Sequence, residues 1–160
     1  MVLRKPIVMN AGQLEQIQSG DTLDAVVSEV DVVSLTNNNA SPIVIGAPVY
    51  TDVANGVDLA QADASGTVEV LGLVQETSIA AAASGFIQTD GILSATTTQW
   101  DAVAGTTGGL TAGAIYYLSS ATAGIMTETA PSTVGQFVVR VGKAISTTEM
   151  EISISQPVKL

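Results

Sequence analysis

The sequence predicts an all-β protein, a compact sandwich or barrel of short antiparallel strands with one or two short helical turns and extended termini. Three observations predict it. Apolar residues recur with period two, as where Met150, Ile152 and Ile154 alternate with Glu151, Ser153 and Ser155. Turn signals punctuate the chain at short intervals: Asn37-Asn38-Asn39, Asn55-Gly56, Ser65-Gly66, Asp90-Gly91, Gly108-Gly109 and Ala123-Gly124. Charged residues make up 12% of the chain against 46% hydrophobic, and cysteine is absent. Burial and backbone hydrogen bonding must therefore hold the chain, because neither disulfides nor ion-pair networks are available to most of it.

Taken in order, residues 1–20 form an N-terminal arm in which Arg4, Lys5 and Pro6 precede a stretch with few turn signals. Residues 13–18 offer a short helical turn confined by Gly12 and Gly20. Strands are expected at 26–35, 43–50, 68–75, 86–89 and 115–118, each separated by the turns named above. A helix is expected over 99–104, capped by Thr97 or Thr98, with Asp101 near its positive end and Gly105 terminating it. Residues 137–141 are β-branched and aromatic, and read as the hairpin partner of the strand at 150–154 across Ser146-Thr147-Thr148. Pro157 cannot donate to a ladder, so the last strand should leave its sheet there.

The arm at 1–20 precedes one β-rich domain, 21–160. Within it, two units at about 43–76 and 110–152 look alike. Gly46-Ala47-Pro48-Val49-Tyr50 matches Gly113-Ala114-Ile115-Tyr116-Tyr117, and Val68-Glu69-Val70-Leu71-Gly72 matches Val138-Val139-Arg140-Val141-Gly142. Chance recurrence in a chain rich in Gly, Ala and Val is the competing reading.

Composition excludes most chemistry. There is no histidine, which removes the usual acid–base catalyst near neutral pH and the commonest transition-metal ligand. Five basic residues against fifteen acidic ones give a net charge of −10, unsuited to a nucleic-acid backbone. All five bases lie at the ends, as Arg4, Lys5, Arg140, Lys143 and Lys159. No apolar run approaches the ~20 residues of a membrane span, and the N-terminus does not read as a secretory signal. Ser155 and Lys159 are separated by Pro157 in an extended tail, a poor nucleophile–base pair. Carboxylate pairs occur at Asp21 and Asp24, Glu29 and Asp31, and Asp58 and Asp63; a solvated strand face explains Glu29 and Asp31, and six aromatic residues are too few to furnish a glycosidase's sugar platforms. No calcium loop is present, although a surface cation between subunits stays open. The expectation is no enzyme, no cofactor and no resident metal.

Two aromatic positions are candidates for partner contact. Trp100, the single indole, reads first as a hydrogen-bonded anchor for the short helix, and otherwise as a hot-spot contact or sugar platform. Tyr116 and Tyr117 are adjacent on a strand, so one faces the core and Tyr117 is the candidate for a partner.

Several segments follow an order found in tailed-bacteriophage proteins. They are Gly46–Tyr50, Val70-Leu71-Gly72-Leu73-Val74, Gly85-Phe86-Ile87-Gln88-Thr89-Asp90-Gly91-Ile92-Leu93, Leu110-Thr111-Ala112-Gly113-Ala114-Ile115-Tyr116-Tyr117-Leu118 and Val141-Gly142-Lys143-Ala144-Ile145-Ser146. Together they resemble the capsid decoration, or cement, proteins of those phages. The opening Lys5–Gly12 stretch and Gln99-Trp100-Asp101-Ala102-Val103 resemble virion proteins too, some of them tail or fibre components. The resemblance implies a β-rich module, often a homotrimer, made in the host cytoplasm and carried on the virion. It would bridge major capsid protein subunits, bind no nucleic acid or membrane, and use terminal arms for contact. Arg4, Lys5 and Pro6 are then the capsid-contact candidates. The alternative is a tail or fibre module that binds host glycan, or another tail protein, through Trp100, Tyr50 and Tyr117.

Overall fold

The computed structural model describes residues 7–10, 13–16, 31–53 and 55–160, and Arg4, Lys5 and Pro6 lie outside these. Near the N-terminus, β1 (Ile7–Asn10) and β2 (Gln13–Gln16) pair antiparallel with Ile7 opposite Gln16. This corrects the helical turn expected at 13–18. So short a segment cannot sustain a helix by itself, whereas pairing with β1 supplies its backbone with partners at once.

The next stretch carries β3 (Val32–Asn37), β4 (Ile43–Val44), β5 (Pro48–Thr51), β6 (Gly56–Leu59), β7 (Val70–Val74), β8 (Ser78–Ile79) and β9 (Ser84–Gln88). After them come β10 (Gly91–Ser94), α1 (Thr97–Ala104), β11 (Ile115–Leu118), β12 (Met126–Thr127), β13 (Phe137–Val138), β14 (Arg140–Ala144), β15 (Glu149–Ile152) and β16 (Val158–Lys159). The fold is all-β with one short helix among the described residues, as the periodicity predicts. The expected strand at 43–50 is broken in two, because Gly46 adopts φ +78° between β4 and β5. The strand expected at 137–141 also divides. Arg140–Ala144 joins β15 across the Ser146–Thr148 turn, while Phe137 pairs instead with Lys159 of β16.

Strands β3-β6-β5-β7-β9 close into a barrel. Closure comes from a parallel pair, Thr36 opposite Gly56 and Asn37 opposite Val57, in a fold otherwise built from antiparallel ladders. A second sheet runs in the order β10-β15-β14-β11-β12. The two sheets share one plan. In the barrel Val49 faces Gly72 and Tyr50 faces Val70, with a register shift between Val49 and Tyr50. In the second sheet Tyr116 faces Gly142 and Tyr117 faces Arg140, with the shift at the same step. The next strand in each continues the correspondence, for Leu73 pairs with Gln88 as Lys143 pairs with Glu151. The strand after that does so too, for Val32 pairs with Gln88 as Ile92 pairs with Glu151.

The bulges and glycines recur for a packing reason. A Cβ on Gly72 would strike the Gln88 carbonyl, and one on Gly142 would strike that of Glu151. Only glycine lets the neighbouring strand approach at these two positions. One apolar cluster runs through both sheets and includes Val49, Leu73, Ile87, Tyr116, Val141 and Met150.

Candidate interaction surface

Helix α1 lies between β10 and β11, both strands of the second sheet. Its cap is Thr96, one residue before the expected Thr97 or Thr98. The Thr96 hydroxyl accepts the Gln99 N–H and the Gln99 side chain accepts the Thr96 N–H, which closes a capping box. Gly105 ends the helix at φ +63°, as expected. Asp101 does not serve the helix N-terminus. Its carboxylate reaches forward and accepts the Gly109 N–H at 2.8 Å, the Gly108 N–H at 3.0 Å and the Thr106 hydroxyl at 3.1 Å. These bonds, the Gly109 N–H first, hold its pKa below the ordinary carboxylate value, and partial desolvation opposes them.

Trp100 is fully buried, and its indole Nε1 donates to the Thr148 carbonyl at 3.0 Å. The ring also fills the space beside Gly46, where an added Cβ would come within 2.8 Å of Trp100 Cζ3. This is the anchor reading of Trp100, and it corrects the partner-contact one. The side chain most apt for stacking offers no face to a sugar or a protein. Tyr116 is the core member of the adjacent pair. Its hydroxyl accepts the Thr111 N–H and donates to Glu128, both at 2.9 Å. Burial raises this phenol's pKa, the Thr111 N–H opposes the rise, and the Glu128 carboxylate adds to it. Tyr117 is half-buried on the opposite face, so part of it remains exposed.

Tyr50 is half-buried beside the barrel's hairpin carboxylates, and its phenol is raised first by burial and then by Asp58 and Asp52. Those two carboxylates have structural partners. Asp52 accepts from Asn38 at 2.9 Å, and Asp58 accepts from Asn39 at 2.7 Å. Asp63 is held locally by Thr67 at 3.4 Å. Asp58 and Asp63 therefore serve separate turns, while Asp21, Asp24 and Glu29 lie outside the described residues. Among the described residues, no group of three Asp or Glu is placed to hold a metal ion. No helix among them is long and apolar enough to cross a membrane.

Two exposed features were missed at the sequence level. Ile92, Glu151, Lys143 and Ile115 form a continuous row across the outer face of the second sheet. Period two marks Glu151 as outward, but only the register reveals two isoleucines in line with it. The second feature lies at the end of the chain. The Gly135 N–H donates to the Leu160 carbonyl, and Val134, Val158 and Leu160 are all exposed at this end of the chain. Lys159 stands 6.0 Å from the centre of the Phe137 ring. No family model matches the chain, and no curated protein matches it either.

Proposed function

We propose that the protein is a structural component of a tailed-phage virion that binds the outside of the assembled capsid and stabilises it by bridging major capsid subunits. The observation that carries this reading is the separation of charge and contact surface. No basic residue lies between Lys5 and Arg140, a stretch that holds most of the acidic residues, and at the C-terminal end Val158 and Leu160, which flank Lys159 in the chain, are exposed. Exposed apolar side chains on a terminal strand form a contact point that needs no buried ion pair. The segments that carry the phage resemblance support the reading from another side, since they build β5, β7, β9, β10, β11 and β14, the shared scaffold of the two sheets.

A protein that binds only the expanded shell stabilises it by mass action, without any chemical step. Purified expanded heads should take up the recombinant protein in stoichiometric amount and resist heat disruption to a higher temperature. Heads that neither bind it nor gain stability would overturn the proposal. Within it, Arg4→Glu combined with Lys5→Glu should weaken uptake at least tenfold and leave the melting temperature of the free protein unchanged. Unaltered uptake would remove the arm from the contact and leave the last strand to make it.

A further inference from the structure

The correspondence between the two sheets identifies a surface with no cover. In the barrel, the outer row Pro48, Leu73 and Gln88 is buried, Leu73 to 0% and Gln88 to 1% exposure, and only its last member, Val32, is open at 42%. Helix α1 reaches the turn before β5, where Trp100 and Val103 lie against Gly46. The matching row of the second sheet is Ile115, Lys143 and Glu151, followed by Ile92. Here Ile92 is 47% exposed and Ile115 37%, with Ile145 at 49% just beyond β14. Lys143 and Glu151 are exposed as well.

Its order is apolar, acidic, basic, apolar, across three strand spacings or roughly 14 Å. That order is self-complementary. A second copy turned by a two-fold axis through the centre of the row sets Glu151 over Lys143 of its mate, and the reverse. The same turn sets Ile92 over Ile115 at both rims. We infer that this face pairs two copies of the chain in an isologous, two-fold contact centred between Lys143 and Glu151. The charges fix orientation, because a copy slid by one strand opposes like charges, and the isoleucines supply the apolar burial. A two-fold pair of this kind differs from the three-fold ring that the phage resemblance implies. It stands independently of the capsid proposal.

Charge reversal tests it in solution, with molar mass read by sedimentation equilibrium. The wild type should associate to twice the mass of one chain. Lys143→Glu alone and Glu151→Lys alone should each weaken association at least tenfold, since each leaves only like charges at the centre. An equimolar mixture of these two variants should recover the dimer, because each supplies what the other lacks. Trp100 fluorescence should match wild type in both, which shows that each variant folds, while loss of the pair lowers the melting temperature by mass action. Ile92→Lys, at the rim of the same face, is the second probe and should also weaken the pair. A wild type that remains a single chain, a trimer indifferent to these changes, or a mixture that fails to reassociate would each overturn the inference.

Discussion

The barrel and the open sheet use the same five-strand order and part company at one edge. In the barrel, β3 continues to Asn37 and pairs in parallel with β6. The Asn37 side chain is fully buried and fully used. It donates to the Ile79 carbonyl at 2.9 Å and the Ser41 carbonyl at 3.0 Å, and accepts the Asn39 N–H at 2.8 Å. Asn38 and Asn39 then tie the edge to Asp52 and Asp58 of the hairpin opposite. In the second sheet, the strand equivalent to β3 is β10, which stops at Ser94. Thr96 caps α1 instead, and the chain leaves the ladder before it can meet β12. Three asparagines in one half and a capping box in the other therefore decide between a closed barrel and an open sheet. The difference teaches that a strand edge can be finished by a backbone ladder or by a packed helix, with the rest of the plan unchanged.

The largest expected effect comes from removing the helix anchor. Trp100→Ala should cost about 4 kcal/mol, through the emptied cavity and the lost indole bond to the Thr148 carbonyl, which keeps the Ala95 N–H. Denaturant unfolding should remain one transition at a lower midpoint. A barrel that outlives the second sheet as a separate transition would break the view that both halves share a core.

The paired glycines sharpen the comparison. Gly72→Ala and Gly142→Ala each push a methyl into a backbone carbonyl of the adjacent strand. A closed barrel cannot spread its strands, whereas an open sheet can let β10 and β15 shift outward. We expect Gly72→Ala to cost about 3 kcal/mol and Gly142→Ala about half as much, compared by chemical denaturation. Equal losses would mean that the second sheet is held as rigidly as the barrel.

Asp101 gives the smallest effect, and one confined to the second half. Its folded pKa lies below the ordinary value, so the turn it holds gains stability above the usual carboxylate range. That gain should fade as pH falls through the lowered value. Asp101→Ala should accordingly be less stable than wild type near neutrality and approach it in acid. A gap that stays constant with pH would assign the effect to packing instead of charge.

Local pattern made much of the fold legible. Period two and the turn residues located β7, β9, β11 and β15 closely, and Gly105 marked the end of α1. The short strands β6, β8, β10 and β12 were hidden, because two to four residues such as Gly-Val-Asp-Leu at 56–59 carry too little alternation to register. Barrel closure was hidden for a different reason. The parallel pairing of Thr36 with Gly56 depends on side-chain bonds from Asn38 and Asn39 across the fold, which no local window contains. At the candidate surface, sequence placed Tyr117 outward and recognised Trp100 as a possible anchor. The outward isoleucines could be found only through strand register, since Ile92 and Ile115 look like core residues wherever their neighbours are unknown.

The contact between Gly46 and Trp100 makes the two copies of the plan unequal partners. A glycine at the mouth of one sheet is the socket for a side chain grown by the other. Either half taken alone would be incomplete: the barrel would keep an empty socket at Gly46, and the helix would lose its seat. A designer wishing to swap one half for a relative's, or to string extra copies in tandem, would have to carry socket and plug together.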